Sequence, residues 1–562
     1  MALEKIADKV IETDVMVIGG GIAGCPAAAK AAEHGLKVTL VEKAKTDRSG
    51  SSAQGIDHYA GAFPRGMTPK EFIEITEKAG PSAYYGGFPW SDPTRIYRQY
   101  ANGLWAIEEL EKLGVTMKWD SDGIRPIHFM FVNPFIRVHW MNVKPEMAAG
   151  VRKRGVNVLE RTMIVDLLTS NGTVVGATAV NSRTGEFIVI KAKATIIATA
   201  ACSRIFNPET PVPWKYKFRY HWCPASVSGD GWAMAYRAGA ELANMEQSGG
   251  YRRLRDDLNL SVGNMGNEGI MARLHSWDGL EYSHLAPAGF KEKEEEGKDP
   301  FYFSLESLPG DFHKRIEVAY VDERLVSFKI AEERGFNPKK HWYELADARP
   351  FQLHVEPGIE ANADFETALP GLYAIGDCVA GNHDVANAAS MGFLIGDSIH
   401  EHVNNAAEPV INEAQVEKQK EAALLPLSVV KDGTEPMELE SAVRYICTRY
   451  IGLDKAEGKM REGSRRLGSL RREFLPRLMA KNPHYLIRAL EVRNLMDVAD
   501  LHLAACMERK ETRDDYIRID YPEKDPALEG MLLYQRLDNG KPKADFRKVK
   551  PMQLPDDHKE ER

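Results

Sequence analysis

A strand–turn–helix–strand unit at residues 14–43 constrains the fold of this chain more than any other feature. Its sequence is DVMVIGGGIAGCPAAAKAAEHGLKVTLVEK. An apolar strand meets three glycines in GxGxxG spacing, an alanine-rich helix follows, and a second apolar strand ends on an acid. The residues with these roles are Gly19, Gly21, Gly24 and Glu42, and Lys43 follows directly.

Each of these residues has a separate task in a dinucleotide-binding unit. The first glycine allows a tight turn, the second lets a pyrophosphate approach backbone N–H groups at the helix N-terminus, and the third lets helix and strand pack closely. A carboxylate placed like that of Glu42 accepts hydrogen bonds from ribose hydroxyls. We therefore predict that the three glycines, Glu42 and Lys43 bind a dinucleotide.

Composition limits the class of protein. The chain has 562 residues, is 43% hydrophobic and 27% charged, and is long enough for two or three domains. Its net charge of −8 argues against nucleic acid or an anionic membrane surface as the main partner. The six cysteines include no CxxC pair, which is typical of a reduced, cytoplasmic chain and supplies no zinc or iron–sulfur ligand set. No apolar run approaches the about 18 residues of a membrane span, so we predict a protein that is not integral to a membrane.

The middle of the chain predicts strands and an inserted domain. From about 151 to 200 the apolar residues alternate, and the pairs Asn171-Gly172 and Thr184-Gly185 mark hairpin turns. We predict a β-meander whose last strand ends at Ala198. The segment 202–345 has mixed character and predicts an insertion, and amphipathic helical stretches dominate from about 436 to 510.

A second acid, Asp377, follows a short apolar strand hundreds of residues after the first unit. Such a carboxylate can accept hydrogen bonds from ribityl hydroxyls, and a helix after it can direct N–H groups at the flavin edge that becomes negative on reduction. FAD is therefore favoured over NAD, although Asp377 could also be a turn or capping residue. Asn387, Ser390 and Gly392 in that helix are assigned to the same cofactor, with capping as the alternative for Asn387. No second GxGxxG unit follows, so electrons would come from, or leave to, a partner chain.

Five stretches carry a resemblance to one superfamily. VIGGGIAGCPAAAKAAEHGLKVTLVEKA, DRSGSSAQG, SGDGWAMAYRAGAELANMEQ, LPGLYAIGDCVAG and RKETRDDYIRIDYPEKD occur in the order seen in the flavoprotein subunits of fumarate reductase, succinate dehydrogenase and adenylylsulfate reductase. Within this superfamily the chain is most similar to the adenylylsulfate reductase alpha subunit.

The resemblance implies an α/β fold with three parts. A Rossmann-like FAD-binding domain (1–210 and 351–415) is interrupted by an α+β capping domain (211–350) and followed by a C-terminal helical domain with a tail (416–562). It also implies a ferredoxin-like iron–sulfur partner. The cofactor residues it adds are Ala198 and Asp230, the latter in the SGDG stretch.

The stretch DRSGSSAQG is expected to form a wall along the flavin ring. The residues assigned to this wall are Ser49, Gly50, Ser51, Ala53, Gln54 and Gly55. Succinate dehydrogenases carry here a histidine that links covalently to the flavin, and alignment on the shared R-S and A-Q-G places Gly50 at that position. We therefore expect FAD to be held without a covalent bond.

Arg253 and His354 are the candidate catalytic residues. Arg253 best matches the superfamily's arginine beside the substrate, with Arg252 and Arg255 as competitors, and its guanidinium would anchor a sulfate, sulfite or carboxylate. A surface cluster paired with the neighbouring acids is the alternative. His354 matches a histidine on the substrate side, with a structural histidine as the alternative.

The leading hypothesis is the catalytic FAD subunit of a complex resembling adenylylsulfate reductase, acting on a small anionic substrate. The first alternative is a flavoprotein of the fumarate reductase type that reduces or dehydrogenates another small acid. A third is an electron-transfer flavoprotein that has lost substrate binding. The stretch ATAA, where the superfamily usually has ATGG, gives less support to one close backbone approach to the dinucleotide. The missing RGEGG stretch argues against classical fumarate chemistry, and the capping region lacks the long insertion expected of a dedicated adenylylsulfate reductase.

Overall fold

The structure is a computed structural model. It describes residues 3–54, 56–60, 68, 71, 91–116, 127–130, 133–140, 142–207, 224–251, 273–282, 287–304, 306, 333, 335, 337, 340–344, 349–353, 356–381, 385–513 and 516–551.

The strands in chain order are β1 (Lys9–Ile18), β2 (Val38–Glu42), β3 (Ile56–Ala60), β4 (Ile127–Met130), β5 (Asn133–Trp140), β6 (Asn157–Glu160), β7 (Thr162–Ser170), β8 (Thr173–Asn181), β9 (Phe187–Ile197), β10 (Leu242–Ala243), β11 (Gly249–Tyr251), β12 (Arg273–Ser276), β13 (Glu281–Tyr282), β14 (Phe301–Ser304), β15 (Tyr343–Glu344), β16 (Arg349–Gln352), β17 (Gly358–Ile359), β18 (Leu372–Ala374), β19 (Asp454–Lys455), β20 (Ile517–Arg518), β21 (Met531–Asp538) and β22 (Lys541–Lys548). The α-helices are α1 (Gly24–Glu33), α2 (Pro93–Ala101), α3 (Gly103–Leu113), α4 (Val143–Lys153), α5 (Asp230–Ala238), α6 (Pro287–Glu295), α7 (Val385–Asn405), α8 (Glu413–Ser428), α9 (Pro436–Ile446), α10 (Glu457–Glu473) and α11 (Pro483–Glu508).

A seven-stranded sheet forms the centre of the first domain. Its order is β6-β2-β1-β9-β8-β7, with β18 also paired to β9. β1 is parallel to β2 and β9, and β2 is parallel to β6. On the other edge of β9, β8 pairs antiparallel with residues 187–191 and β18 pairs parallel with residues 195–197. The carboxyl ends of β1, β2, β9 and β18 therefore meet at one end of the sheet, which is where α/β sheets bind ligands.

The predicted strands and turns of this domain are confirmed. The apolar run of β1 ends in four buried residues, as expected for a parallel strand covered on both faces. Between β7 and β8, Asn171 and Gly172 have φ angles of 49° and 81°, the left-handed conformations of a type I′ hairpin turn. The local sequence signals thus determine both the parallel unit and the meander beside it.

Helix α7 packs closely on α1, and glycines make this possible. A Cβ at Gly392 would lie 2.3 Å from the Ala23 carbonyl oxygen, and one at Gly396 would lie 2.7 Å from the Ala27 oxygen. These contacts are with backbone, which has little freedom to move. Gly392, which we predicted beside the cofactor, has a packing role at this helix crossing.

The predicted insertion contains small sheets and two described helices, α5 and α6. Strands β12 to β15 form a four-stranded antiparallel sheet, and β11 pairs with β16. Cys202 bridges to both Ser228 and Leu353, so the chain leaves and re-enters the first domain side by side. Helix α5 lies within the predicted insertion, yet its Trp232 is fully buried in the main core. The boundaries at 211 and 350 remain a prediction.

The C-terminal region is helical, as predicted. It ends in a β-hairpin, which was not predicted. Helix α11 is buried along most of its length and packs against α5, α8, α9 and α10. The hairpin β21–β22 pairs through β21 with β10, where Gln535 lies opposite Leu242. Its turn contains Asn539-Gly540, a hairpin signal present in the sequence. None of the helices in the described ranges is long and apolar enough to cross a membrane.

Candidate cofactor and active site

A cleft opens where the carboxyl ends of the parallel strands meet. It encloses about 890 Å³ of empty space, part of it open to solvent. The predicted cofactor residues that line it are Gly19, Gly21, Glu42, Lys43, Gly50, Ser51, Ala198, Asp230 and Asp377. The structure thus brings together residues from five separate stretches of the sequence.

The three glycines of the turn have three different surroundings. Gly19 has a φ of 107°, and a Cβ there would lie 2.3 Å from the Ala198 carbonyl oxygen. A Cβ at Gly24 would lie 1.9 Å from the Gly19 oxygen, so this glycine allows α1 to approach β1. A Cβ at Gly21 would have no atom of the structure within 4 Å, because this glycine faces the open cleft. Only Gly21 therefore leaves room for a ligand.

Glu42 closes the turn from the end of β2. Its Oε2 accepts a hydrogen bond of 2.8 Å from the Gly20 N–H, and its Oε1 accepts one of 2.8 Å from the Ala44 N–H. Each carboxylate oxygen can accept more than one hydrogen bond. Glu42 can therefore brace the glycine turn and still accept hydrogen bonds from ribose hydroxyls.

Lys43 lines the cleft, but its ammonium is already engaged. The Nζ atom donates to Asp230 Oδ2 at 2.7 Å, Glu491 Oε1 at 2.8 Å, the Ser226 carbonyl oxygen at 2.8 Å and Ser228 Oγ at 3.0 Å. Burial alone would lower the pKa of Lys43, but the charges of Asp230 and Glu491 outweigh it and raise that pKa. Lys43 therefore ties the cleft to helix α11.

Asp230 is held in the same way at the start of α5. Its Oδ2 also accepts from Ser228 Oγ at 3.1 Å, and its Oδ1 accepts 2.8 Å from Asn494 Nδ2 of α11. Lys43 and Asp230, which we predicted as cofactor residues, both line the cleft. Their charged groups bind each other and so fix the position of the cleft wall.

Buried charged residues behind Lys43 hold this wall in place. Arg204 is 2% exposed and donates to Glu491 Oε2 at 2.8 Å and to Glu440 Oε2 at 3.1 Å. Burial would raise the pKa of Glu491, but Lys43 and Arg204 outweigh it and lower that pKa to about 2. Glu491 is therefore an ionised, buried carboxylate of α11 that pairs both with Lys43 on the cleft and with Arg204 behind it. We refer to Lys43, Asp230, Arg204, Glu440 and Glu491 as the charge cluster.

The second acid, Asp377, lies in a short turn that two buried side chains hold in place. Trp232 Nε1 donates to the Cys378 carbonyl oxygen at 2.8 Å. The guanidinium of Arg95, fully buried, donates to the carbonyl oxygens of Ala361 and Ala380 on either side. Gly376 has a φ of 69°, and Asp377 lines the cleft as predicted.

Several buried polar atoms near the cleft suit a bound cofactor. Within the described residues, no hydrogen-bond partner is present for Ser51 Oγ, Thr199 Oγ1, Asn387 Oδ1 and Ser390 Oγ. Buried polar atoms in folded proteins are almost always paired, so each unpaired atom calls for an explanation. Ser51 and Thr199 line the cleft itself. The open space at Gly21 and these unpaired hydroxyls together fit a dinucleotide cofactor.

Other predicted residues do not line the cleft. Gly24 and Gly392 serve packing, Ser49 Oγ is buried without a partner in the described residues, and Ala53 is exposed. Gln54 ends a short 3₁₀ helix, Ser51–Gln54. Asn387 and Ser390 are buried in α7. The predictions for Gly55, Arg253 and His354 lie outside the described residues.

Some of the lining residues were not predicted from the sequence. They are chiefly Thr162, Met163 and Ile164 at the start of β7, together with Thr199, Ser226 and Val227. The β7 residues follow β6, which lies beside β2 in the sheet. Because β6 is parallel to β2, the turn after its carboxyl end lies at the ligand-binding edge of the sheet. Recognising β6 as a strand of this sheet is the signal that would have identified these residues.

The fold and the cleft define a flavin-dependent oxidoreductase. The chain belongs to the flavoprotein family of fumarate reductase and succinate dehydrogenase: residues 14–393 match the family model described as FAD binding domain, and residues 441–560 match the one described as fumarate reductase flavoprotein C-term. FAD is its cofactor. The predicted superfamily, fold class and cofactor are confirmed.

Similar proteins span nearly the whole chain. The fumarate reductase flavoprotein subunit of Haemophilus influenzae is 22% identical, with 96% of this chain and 95% of that protein covered. A solved adenosine-5-phosphosulfate reductase in complex with sulfite as a covalent adduct has a TM-score of 0.82 and 23% identity, covering 97% of this chain and 96% of that one. The quinol fumarate reductase of E. coli has a TM-score of 0.77 and 19% identity, covering 97% and 98%. At these identities the solved structures are evidence of a shared fold.

Proposed function

We propose that this chain is the FAD-bearing catalytic subunit of a reductase that resembles adenylylsulfate reductase. The observation that carries the proposal is the flavin wall. Gly50 lines the cleft with a φ of 81°, and a Cβ there would have no atom within 4 Å. Gly50, Ser51 and Ser52 line this part of the cleft, and the open space at Gly50 supports a site in which a compact oxyanion would lie beside the flavin.

When bound, FAD supplies two-electron chemistry, and the chain supplies the surroundings. The Gly21 region and α1 would hold the pyrophosphate, Glu42 would accept hydrogen bonds from the ribose, and Asp377 would accept them from the ribityl hydroxyls. Arg253, in the stretch after β11, would anchor sulfite or the sulfate group of a nucleotide through its guanidinium fork. His354, after β16, would share in screening the negative charge of that substrate.

The electron source we propose is a ferredoxin-like iron–sulfur subunit. The superfamily resemblance implies such a partner, and the sequence contains no second GxGxxG unit for NAD(P)H. Chemical reduction by a viologen should therefore reduce the flavin, whereas NADH and NADPH should not. A rapid reduction by either nicotinamide would contradict this part of the proposal.

A second candidate function is reduction or dehydrogenation of another small acid by a flavoprotein of the fumarate reductase type. The match of residues 441–560 to the fumarate reductase C-terminal model favours it. In this version Arg253 both anchors the carboxylate and delivers the proton.

Titration with sulfite tests the leading proposal. Sulfite added to the oxidised protein should bleach the visible flavin absorbance, and AMP should modulate the effect. Arg253→Ala should weaken the sulfite response at least about tenfold, the effect of losing one charged anchor. Arg461→Ala, at a side chain 71% exposed on α10, is the matched control and should respond like wild type. An unchanged spectrum at high sulfite concentration would exclude the proposal.

Acid precipitation tests how the cofactor is held. With Gly50 at the position of the linking histidine, we expect FAD to be released into the supernatant when the protein is precipitated with trichloroacetic acid. Gly50→His tests the geometry further, since its φ of 81° disfavours any side chain at this position. Flavin that stays with the precipitated wild-type chain would contradict a non-covalent site.

A further inference from the structure

A buried lysine lies directly behind the dinucleotide-binding turn. Lys144, the second residue of α4, is 2% exposed, and its Nζ donates to the carbonyl oxygen of Gly20. Lysine is almost never this buried without a specific task. Lys144 is outside the set of residues that line the cleft, and the sequence motifs did not single it out.

Both backbone polar groups of Gly20 are held by side chains. Its N–H donates to Glu42 Oε2 at 2.8 Å, and its carbonyl oxygen accepts from Lys144 and from Cys25 Sγ at 3.4 Å. In a trans peptide the carbonyl and the next N–H point in opposite directions. A carbonyl of Gly20 that points back to Lys144 therefore turns the N–H of Gly21 away from α4.

The charge of Lys144 acts at the same place. Helix α1 begins at Gly24, and the positive end of its dipole already favours an anion at the turn. A buried ammonium is poorly screened by solvent, so its field reaches the cleft more strongly than that of a surface lysine. The start of α1 and Lys144 thus supply positive charge to the turn from two different elements, beside the negative charge of Glu42.

We propose that Lys144 is a positioning residue for the pyrophosphate of FAD. It orients the Gly20 peptide so that the next N–H faces the ligand, and it supplies a buried positive charge behind that N–H. This role concerns the diphosphate group and holds whichever acid the enzyme reduces.

Competition binding with the apo protein tests the proposal. Lys144→Met keeps the apolar stem and removes the ammonium. We expect it to weaken the binding of ADP and of FAD about tenfold or more, the effect of one buried charge on an anion. The binding of adenosine, which has no phosphate, should change less than about twofold. Lys153→Met, at an exposed position on the same helix, is the matched control and should leave all three affinities unchanged.

The comparison of ADP with adenosine separates binding of phosphate from structural damage. A Lys144→Met protein that loses ADP and adenosine equally, or loses neither, would overturn the proposal. If that variant does not fold, Lys144→Gln keeps a donor for the Gly20 oxygen without the charge, and the same preferential loss of ADP is required of it. Lys144→Arg should retain most of the ADP affinity, because it keeps both donor and charge.

Discussion

Gly24→Ala is expected to leave the chain unable to retain FAD and to lower its free energy of unfolding by about 3 kcal/mol or more. The new Cβ would lie 1.9 Å from the Gly19 carbonyl oxygen and 3.1 Å from the Gly19 carbonyl carbon. Both atoms belong to the backbone of the turn, so α1 must move away from β1. Urea unfolding of the apo protein and the FAD content of the purified protein measure the two effects.

Gly21→Ala should separate cofactor binding from folding. Its Cβ meets nothing within 4 Å, so the free energy of unfolding should change by less than about 1 kcal/mol. The methyl group occupies space that the pyrophosphate needs, and FAD affinity should therefore fall about tenfold or more. Gly458→Ala, in the first turn of α10 and also with open space, is the control and should retain FAD.

A Gly24→Ala protein with normal stability and full FAD content would show that the turn is not packed as described.

Arg204→Met should destabilise the protein by about 3 kcal/mol, because two buried carboxylates lose their charged hydrogen bonds to Arg204 and keep only their pairs with Lys43, Arg444 and Arg488. The affected residues are Glu440 and Glu491, which are 5% and 4% exposed. Glu491 also holds Lys43 on the wall of the cleft, so FAD affinity should fall together with stability. Arg461→Met removes an exposed ion pair on α10 and should cost no more than about 1 kcal/mol. Equal effects of the two substitutions would contradict the role we give to the charge cluster.

The same charge cluster predicts how stability depends on pH. The folded pKa of Glu491, about 2, is below its value of 4.5 in the unfolded chain. A carboxyl group with a lowered pKa in the folded state contributes its full stabilisation above the pKa of the unfolded chain. This stabilisation is lost as the pH falls toward the pKa of the folded state. The free energy of unfolding should therefore drop between about pH 4.5 and pH 2, and Glu491→Gln should flatten that drop. A pH profile of Glu491→Gln that parallels the wild type would exclude this carboxylate as its source.

The sequence predicted the parts of the site whose requirements are local. The glycine turn, Glu42 and the Gly-Asp after β18 each depend on a short stretch, so their patterns can be recognised without knowledge of the fold. The charge cluster could not be predicted in this way. Lys43 meets Glu491 across 448 positions of sequence, and Asp230 meets Asn494 across 264.

Glycines were the other residues whose observed roles differed from the predicted ones. A glycine in a helix beside a cofactor suits either a close ligand or a close neighbouring helix, and the sequence alone does not distinguish them. At Gly392 the neighbour is the Ala23 carbonyl oxygen of the glycine turn, whereas at Gly21 the surroundings are open. The distinction depends on tertiary packing, which local patterns do not contain.

Turnover with reduced viologen tests the proposed function most directly. The protein would be supplied anaerobically with adenylylsulfate or with a panel of 2-enoates that includes fumarate, and viologen oxidation would be followed. We predict turnover with adenylylsulfate, in which two electrons break the bond between the sulfate sulfur and the phosphate oxygen and release AMP and sulfite, and we predict its loss in Arg253→Ala. Turnover of a 2-enoate with none of adenylylsulfate would contradict the proposal and favour the fumarate reductase type of chemistry.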